Sequence, residues 1–399
     1  MTGYLIRRVL QMILVLLASA IISYGLLNLA PGGPTAGLAQ QAANARFRLT
    51  EEDIARIRAT FELDLNLPIR FLRWFAGFPR GPLQIGNQTF FGNVQVGCRI
   101  TIEALVRDAK GNVSTRVIGC KQPVFLKDMV GRRTSRGVLF GDFGLSWKLL
   151  RDRPVSYLIS SRVWKTVQLA GLSSIIALLV GIPIGIYSAV KQYSRFDYFF
   201  TGLAFIGSAM PTFFFGILMI LFLSVLPKLA GLPFLPSGSA EAVRAYTIPG
   251  FGTIEGGSFI DRLLHLIMPV AVLAIVSISG WSRYIRTSML EVMRQDYIRT
   301  ARSKGLIERL VILKHGVRNA LIPFITLLVF ILPGLFGGAI ITETVFSWPG
   351  MGRLYFTALN EYDYPVALAI LFISAVLIVI ATLVRDILYT WVDPRIRLS

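Results

Sequence analysis

Six stretches of the chain are apolar and free of Asp, Glu, Lys and Arg: roughly 9–30, 166–190, 198–227, 263–282, 319–342 and 364–384. About 20 apolar residues are needed to carry a helix across a hydrocarbon layer of roughly 30 Å, and each stretch reaches that length. None alternates as a half-buried strand would. In lipid every backbone N–H and C=O must find a partner within the segment, so helices are the predicted form. The first stretch follows Arg7 and Arg8 and contains Ala18-Ser19-Ala20, which resembles a cleavable signal peptide. The apolar run continues to Leu29, beyond the 7–15 residues typical of a signal core, so a retained first span is expected.

The polar connections divide into short and long. On one side fall Arg7, Arg8, Lys191, Arg195, the basic stretch from Arg283 to Arg318, and Arg385, Arg395 and Arg397; the short loops opposite, 228–262 and 343–363, hold only Lys228, Arg244, Arg262 and Arg353. Lys and Arg in short loops stay on the cytoplasmic side, which predicts that both termini face the cytoplasm. The long segment 31–165 is also basic, but long domains cross largely regardless of charge, so it is read as extracytoplasmic. The predicted organisation is a first span over 1–30, an extracytoplasmic segment over 31–165, and a core of five further spans over 166–399.

Within the long segment, Asn93–Ile102 and Val113–Ile118 are rich in Val, Ile and Thr, with Asp108-Ala109-Lys110-Gly111-Asn112 between them. That predicts a hairpin. The two cysteines, Cys98 and Cys120, fall at its outer ends. In an oxidising compartment a disulfide is the natural expectation, with two buried free thiols as the alternative.

The chain has 399 residues, only 16% of them charged, with a formal net charge of +19; a soluble domain usually carries roughly 25% charged residues. In a soluble protein such basicity would suggest nucleic acid. Here the cations flank spans, where they set orientation and meet anionic headgroups, so no nucleic-acid partner is expected. No Gly-x-x-x-x-Gly-Lys-Ser/Thr run is present to cradle phosphates, and the two histidines, His265 and His315, stand far apart; neither a nucleotide site, a metal site nor a catalytic cluster is expected. Ion-coupled transport needs ionisable groups at membrane depth, and the six stretches hold no Asp, Glu, Lys or Arg, with His265 at the edge of the fourth. His265 is read as an interfacial histidine with a satisfied ring, and Glu343 as facing water. Energy for pumping would have to come from elsewhere.

The most unusual connection runs from Met289 to Pro323. Met289, Met293, Tyr297 and Ala301 recur every four residues and predict one apolar helical stripe, with Arg294, Arg299, Arg302 and Lys304 on other faces. Gly305 suits a left-handed helix end. A second amphipathic run follows, with Leu306, Leu310, Leu313 and Val317 on one face and Lys314 and Arg318 a turn apart. Two short helices around a glycine would present a knob to a soluble partner; a basic loop on anionic lipid is the alternative. Prolines and glycines interrupt the spans, and Met210, Pro211, Pro269 and Pro333 mark candidate kinks around a translocation path.

At this point the residues resemble a known family. Asp296-Tyr297-Ile298-Arg299-Thr300-Ala301-Arg302-Ser303-Lys304-Gly305, followed by His315-Gly316-Val317-Arg318-Asn319-Ala320-Leu321-Ile322-Pro323, is similar to the cytoplasmic coupling loop of ABC importer permeases of the dipeptide/oligopeptide/nickel group. Glu343-Thr344-Val345-Phe346-Ser347-Trp348-Pro349-Gly350-Met351-Gly352-Arg353-Leu354 resembles that family's last external loop. Asp393-Pro394-Arg395-Ile396-Arg397 resembles its ending, and Leu29-Ala30-Pro31-Gly32-Gly33-Pro34 its connection after the first span. Residues 84–136 look like an insertion, after which Phe140-Gly141-Asp142-Phe143-Gly144-Leu145-Ser146 resumes the family pattern.

The resemblance implies an all-α polytopic membrane permease with a small inserted β-containing domain. It marks Tyr297, Arg299, Thr300, Ala301, Arg302, Lys304, Gly305, Lys314, His315, Arg318 and Asn319 as the ATPase-coupling residues. The implied partners are a second permease, two cytoplasmic ATPases that bind ATP and Mg, and an external solute-binding protein, all at a prokaryotic inner membrane. Peptides are the leading substrate; nickel chelates, oligosaccharides and a secondary transporter remain alternatives.

Overall fold

The computed structural model describes residues 2–29, 50–107, 113–132, 134–331, 333–334 and 339–392. Among them, five helices are long and apolar enough to cross a membrane: Ile6–Leu29, Val155–Val190, Thr212–Leu229, Phe259–Met293 and Tyr364–Tyr389. They overlap five of the six charge-free stretches. The remaining stretch, 319–342, is broken within the described residues: Phe324–Val329 and Ile340–Val345 are helical, and Leu321-Ile322-Pro323 is a turn. Proline lacks an N–H and pushes its predecessor out of the helical region, which accounts for the interruption before Phe324.

The elements used below are α1 (Thr2–Leu29), α2 (Glu51–Thr60), α3 (Leu67–Ala76), β1 (Leu83–Ile85), β2 (Gln88–Phe90), β3 (Gln95–Arg107), β4 (Val113–Phe125), α4 (Val155–Val190), α5 (Arg195–Ala209), α6 (Thr212–Ile220), β5 (Tyr246–Ile248), β6 (Gly252–Ile254), α7 (Phe259–Met293), α8 (Asp296–Ser303), α9 (Phe324–Val329), α10 (Ile340–Val345), α11 (Met351–Asn360) and α12 (Tyr364–Val392). They form two compact units. The first holds the described residues of 1–15, 160–356 and 373–399, the second those of 16–159 and 357–372.

In the first unit, small residues let helices touch. A Cβ on Gly185 of α4 would sit 2.6 Å from the Ser282 carbonyl oxygen of α7, so only glycine allows this approach. Below that contact Ala189, Ile285, Met289, Ala320 and Phe324 form a buried cluster. Asp197, in the first turn of α5, is 2% exposed and receives Arg286 of α7 in a fork, Nε to Oδ1 at 2.7 Å and Nη2 to Oδ2 at 2.8 Å. Such a bidentate pair fixes orientation as well as distance. The third apolar stretch divides at Met210-Pro211: Met210 has ψ 128°, as a residue before proline should, and α6 restarts at Thr212.

In the second unit, β3 and β4 pair antiparallel, with Cys98 opposite Pro123 and Cys120 opposite Thr101. Both strands run beyond the predicted hairpin, so the cysteines lie within the ladder. They form a disulfide with Cα atoms 5.9 Å apart. The predicted turn at 108–112 lies outside the described residues, as do 30–34 and 393–397. Leu65, Val96, Val124 and Met129 close a small core. Asp64 accepts both guanidinium nitrogens of Arg132, at 3.0 and 2.9 Å.

Asp363 explains the run Phe140–Ser146. Its carboxylate is fully buried and accepts the Ser146 hydroxyl and the backbone N–H groups of Trp147, Lys148 and Leu149, each amide at 3.0 Å. Asp142, within the run, accepts the N–H of Arg136 at 2.7 Å and of Gly144 at 3.0 Å. A non-helical segment is thus held by carboxylates in place of a sheet.

The disulfide gives a direct prediction. A thiol-reactive tag should label the denatured protein only after reduction, and labelling without reduction would contradict the bond. Replacing both Cys98 and Cys120 by serine should destabilise this unit by about 3 kcal/mol, the chain-entropy value for a loop of this size. Helix content should stay unchanged by circular dichroism.

Candidate functional site

The loop after α7 is built around one glycine. α7 ends at Met293, and Gln295 takes an extended conformation with ψ 150° before α8 begins at Asp296. At the other end Gly305 has φ +75°. Its N–H donates to the Arg302 carbonyl at 2.9 Å, and the Leu306 N–H reaches back to the Ala301 carbonyl at 3.4 Å. These two bonds are a Schellman cap, which requires a left-handed residue where glycine stands. The chain then turns helical again through Glu308–Leu310, a π-helical run Val311–Val317 and Arg318–Ala320.

The break at Gln295 corrects the expected stripe. Met289 is fully buried, but the new helix starts out of phase, so Tyr297 is exposed and Ile298 takes the buried place. Ile298 and Ala301 pack with Val311 and partly buried Met293. Burying one such aliphatic side chain contributes about 1.5–3 kcal/mol. Gly316 adds close contact: a Cβ there would lie 3.2 Å from the Met293 sulfur and 3.4 Å from the Met289 methyl. The second apolar run is seated through Val311 and Gly316. Leu306, Ile307, Leu310 and Leu313 are exposed, and Val317 is half-buried.

The charged residues divide by role. Arg302 clamps the turn: Nη2 lies 2.7 Å and Nε 3.1 Å from the two carboxylate oxygens of Glu308. Hydrogen bonding to Arg302 holds the Glu308 carboxyl below the usual range. Because the folded value is depressed, the clamp contributes at neutral pH and is lost as pH falls through that lowered value. Both side chains are substantially exposed, so the effect on stability is small. Arg299 lies 3.8 Å from Asp296 and is largely solvated. Thr300 bonds back to the Asp296 carbonyl at 2.9 Å, and Asn319 Nδ2 donates to the His315 carbonyl at 2.7 Å. Lys304, Lys314 and Arg318 are exposed, and His315 is half-buried.

The candidate path residues are dispersed. Met210 and Pro211 form the α5–α6 break and Pro211 is exposed, whereas Pro269 and Pro333 are buried. His265 is buried, with Nδ1 2.8 Å from the Asp261 carbonyl oxygen and 3.0 Å from its Oδ1.

Glu343 departs from its expected water-facing position. It is fully buried, and its carboxylate accepts the Thr166 hydroxyl at 3.1 Å and the Arg353 N–H at 2.8 Å. Thr166 in turn accepts the Met351 N–H at 2.7 Å, and Trp348 Nε1 donates to the Lys165 carbonyl at 2.9 Å. Gly350 packs against the carboxylate with no room for a Cβ. Sequence reasoning missed this role because Glu343 follows an apolar stretch; the cue was the glycine-rich Pro349–Gly352, which leaves amides free for an acid. Among the described residues no group of three or more His, Cys, Asp or Glu could hold a metal ion.

Comparisons with known proteins fit this arrangement. Residues 181–398 match the family described as binding-protein-dependent transport system inner membrane component. The chain is similar to the oligopeptide transport system permease protein AppB of Bacillus subtilis, 44% identical over 64% of this chain and 76% of that one. It is similar to the dipeptide transport system permease protein DppB of Escherichia coli K12, 40% identical over 65% of this chain and 78% of that one. A putative peptide permease protein of Brucella suis aligns over 100% of both chains at 30% identity. With a family match over more than half its length and a full-length relative at that identity, this chain is a multi-pass membrane protein that belongs to the binding-protein-dependent transport system inner membrane components.

Proposed function

We propose that this chain is one of two permease subunits of an ATP-driven importer that carries peptides delivered by an external solute-binding protein. The observation that carries the proposal is the Gly305 cap, from which Leu306, Ile307, Leu310 and Leu313 face outward in a chain related to peptide permeases. Exposed apolar residues beside the cations Lys304 and Lys314 suit a groove on a soluble partner. That partner is a pair of cytoplasmic ATPases, which bind ATP and Mg. This chain performs no hydrolysis itself and acts as a mechanical receiver.

In this proposal the broken stretch 319–342 is the sixth span, both termini are cytoplasmic, and the hairpins of 84–136 form an inserted extracytoplasmic domain. Closure of the ATPases moves the Gly305 knob. Ile298, Val311 and Gly316 transmit that displacement to Met289 and Met293 of α7, because Ile298 and Val311 pack with Met293 and Gly316 lies against both methionines. Alternating access then follows from two arrangements of packed helices. Met210, Pro211, Pro269 and Pro333 are where the spans adjust around the path.

Two outcomes test the proposal. A reporter active only in the cytoplasm should work when fused after Arg195, Lys304 or Ser399, and be silent near Asn112 or Met351; activity at Asn112 would reverse the orientation. The second test is Gly305→Leu or Gly305→Asp. No atom lies within 4 Å of the position a Cβ would take, so each variant should fold with only the left-handed strain of about 1–2 kcal/mol. In reconstituted vesicles it should abolish substrate-stimulated ATP hydrolysis and uptake. Normal transport by these variants, or failure of the wild-type chain to co-purify with ATPase subunits, would remove the coupling role and favour a lipid contact.

A further inference from the structure

A cavity of about 650 Å³ lies within the second unit, which does not include the Gly305 loop. That volume suits a small ligand. One wall is aromatic: the Tyr24 ring meets Trp74 at 5.2 Å, Phe61 meets Trp147 at 4.6 Å, and Trp147 meets Tyr364 at 6.0 Å between centroids. The polar side holds the acids Glu62, Asp142 and Asp152 beside four arginines. Arg73 is buried and forked onto Glu62, with Nε 3.0 and 3.1 Å from its two oxygens. Arg132 is paired with Asp64, so both of these cations are neutralised. Arg70 and Arg151 also line the cavity.

Two donors here lack an acceptor. Arg70 Nε and Trp74 Nε1 are buried and make no hydrogen bond among the described residues. They stand four residues apart on α3, hence on one face of that helix, and both side chains line the cavity. A buried N–H without a partner is unfavourable, and a bound oxygen acceptor relieves it. An oxyanion also suits the guanidinium charge of Arg70.

We propose that this cavity binds an oxyanion on an apolar stem, its oxygens accepting from Arg70 and Trp74 and its apolar part lying against the aromatic wall. A carboxylate at the end of a short peptide and the phosphate of an anionic lipid share this chemistry. The inference does not rest on the coupling role of the Gly305 loop.

The test is calorimetric titration of the delipidated full-length protein in neutral detergent. The probes are inorganic phosphate, dialanine, and dihexanoyl phosphatidylglycerol below its micellar concentration. At least one probe should bind, and Arg70→Met should weaken that binding about tenfold, as expected for one charge-assisted hydrogen bond. Trp74→Phe keeps the ring but removes the donor and should weaken it by a smaller factor, whereas Arg56→Met, on the exposed face of α2, should leave it unchanged. Dialanine binding would identify a peptide carboxylate, and lipid binding without dialanine binding a headgroup. An unchanged circular dichroism spectrum and a single symmetric peak in size-exclusion chromatography verify that each variant is folded. Absence of binding by all three probes, or equal binding by wild type and both cavity variants, overturns the proposal.

Discussion

A buried carboxylate surrounded by backbone N–H donors is the interaction on which the irregular parts of this protein depend. In a chain made mostly of apolar helices, non-helical segments have neither lipid nor a sheet to satisfy them. Glu343 and Asp363 supply acceptors instead. Glu343 accepts from the Thr166 hydroxyl and the Arg353 amide, with Gly350 packed against it. Asp363, in the other unit, takes three successive amides and the Ser146 hydroxyl. A carboxyl group in such a place is tolerable because several donors converge on it; removing one donor leaves an acceptor buried and unsatisfied. Asp197 follows the same rule with a guanidinium, joining the first turn of α5 to α7. These acids let long helices stay apolar while the connections between them hold a single shape.

The loop around Gly305 rests on a different device. Its shape comes from one left-handed glycine and a small apolar cluster, with the Arg302–Glu308 pair closing the turn from outside. Packing, rather than charge, ties it to α7: Met289 and Met293 meet Gly316, and Ile298 meets Val311. Close packing transmits displacement because packed interiors have little free volume to absorb it. The leucines of the outer surface, Leu306, Leu310 and Leu313, are exposed and take no part in the inner contacts.

Much of the architecture was legible in the sequence because the bilayer imposes a simple rule, and five of the six charge-free stretches overlap a helix long and apolar enough to cross a membrane. Gly305 was legible for a similarly local reason, since few residues other than glycine take φ near +75°. The disulfide followed from two cysteines in one polar segment. What failed were inferences across a break. The stripe through Tyr297 assumed an uninterrupted helix, and the extended Gln295 shifted its phase by one residue toward Ile298. Glu343 was assigned to water because proximity in sequence to an apolar stretch says nothing about which amides converge on a side chain. Asp363 and Arg73 escaped notice for the same reason: their partners, Ser146–Leu149 and Glu62, are set by tertiary contact and carry no spacing signal.

Uptake of a labelled dipeptide into proteoliposomes is the most direct measurement of the central claim, with this chain reconstituted beside a second permease, the ATPases and a binding protein. Accumulation should require ATP inside the cytoplasmic-facing compartment and the binding protein on the other side, and should persist when a protonophore collapses the proton gradient, because the proposed drive is ATP hydrolysis by the partner subunits. Accumulation driven by a proton or sodium gradient without ATP would contradict the account.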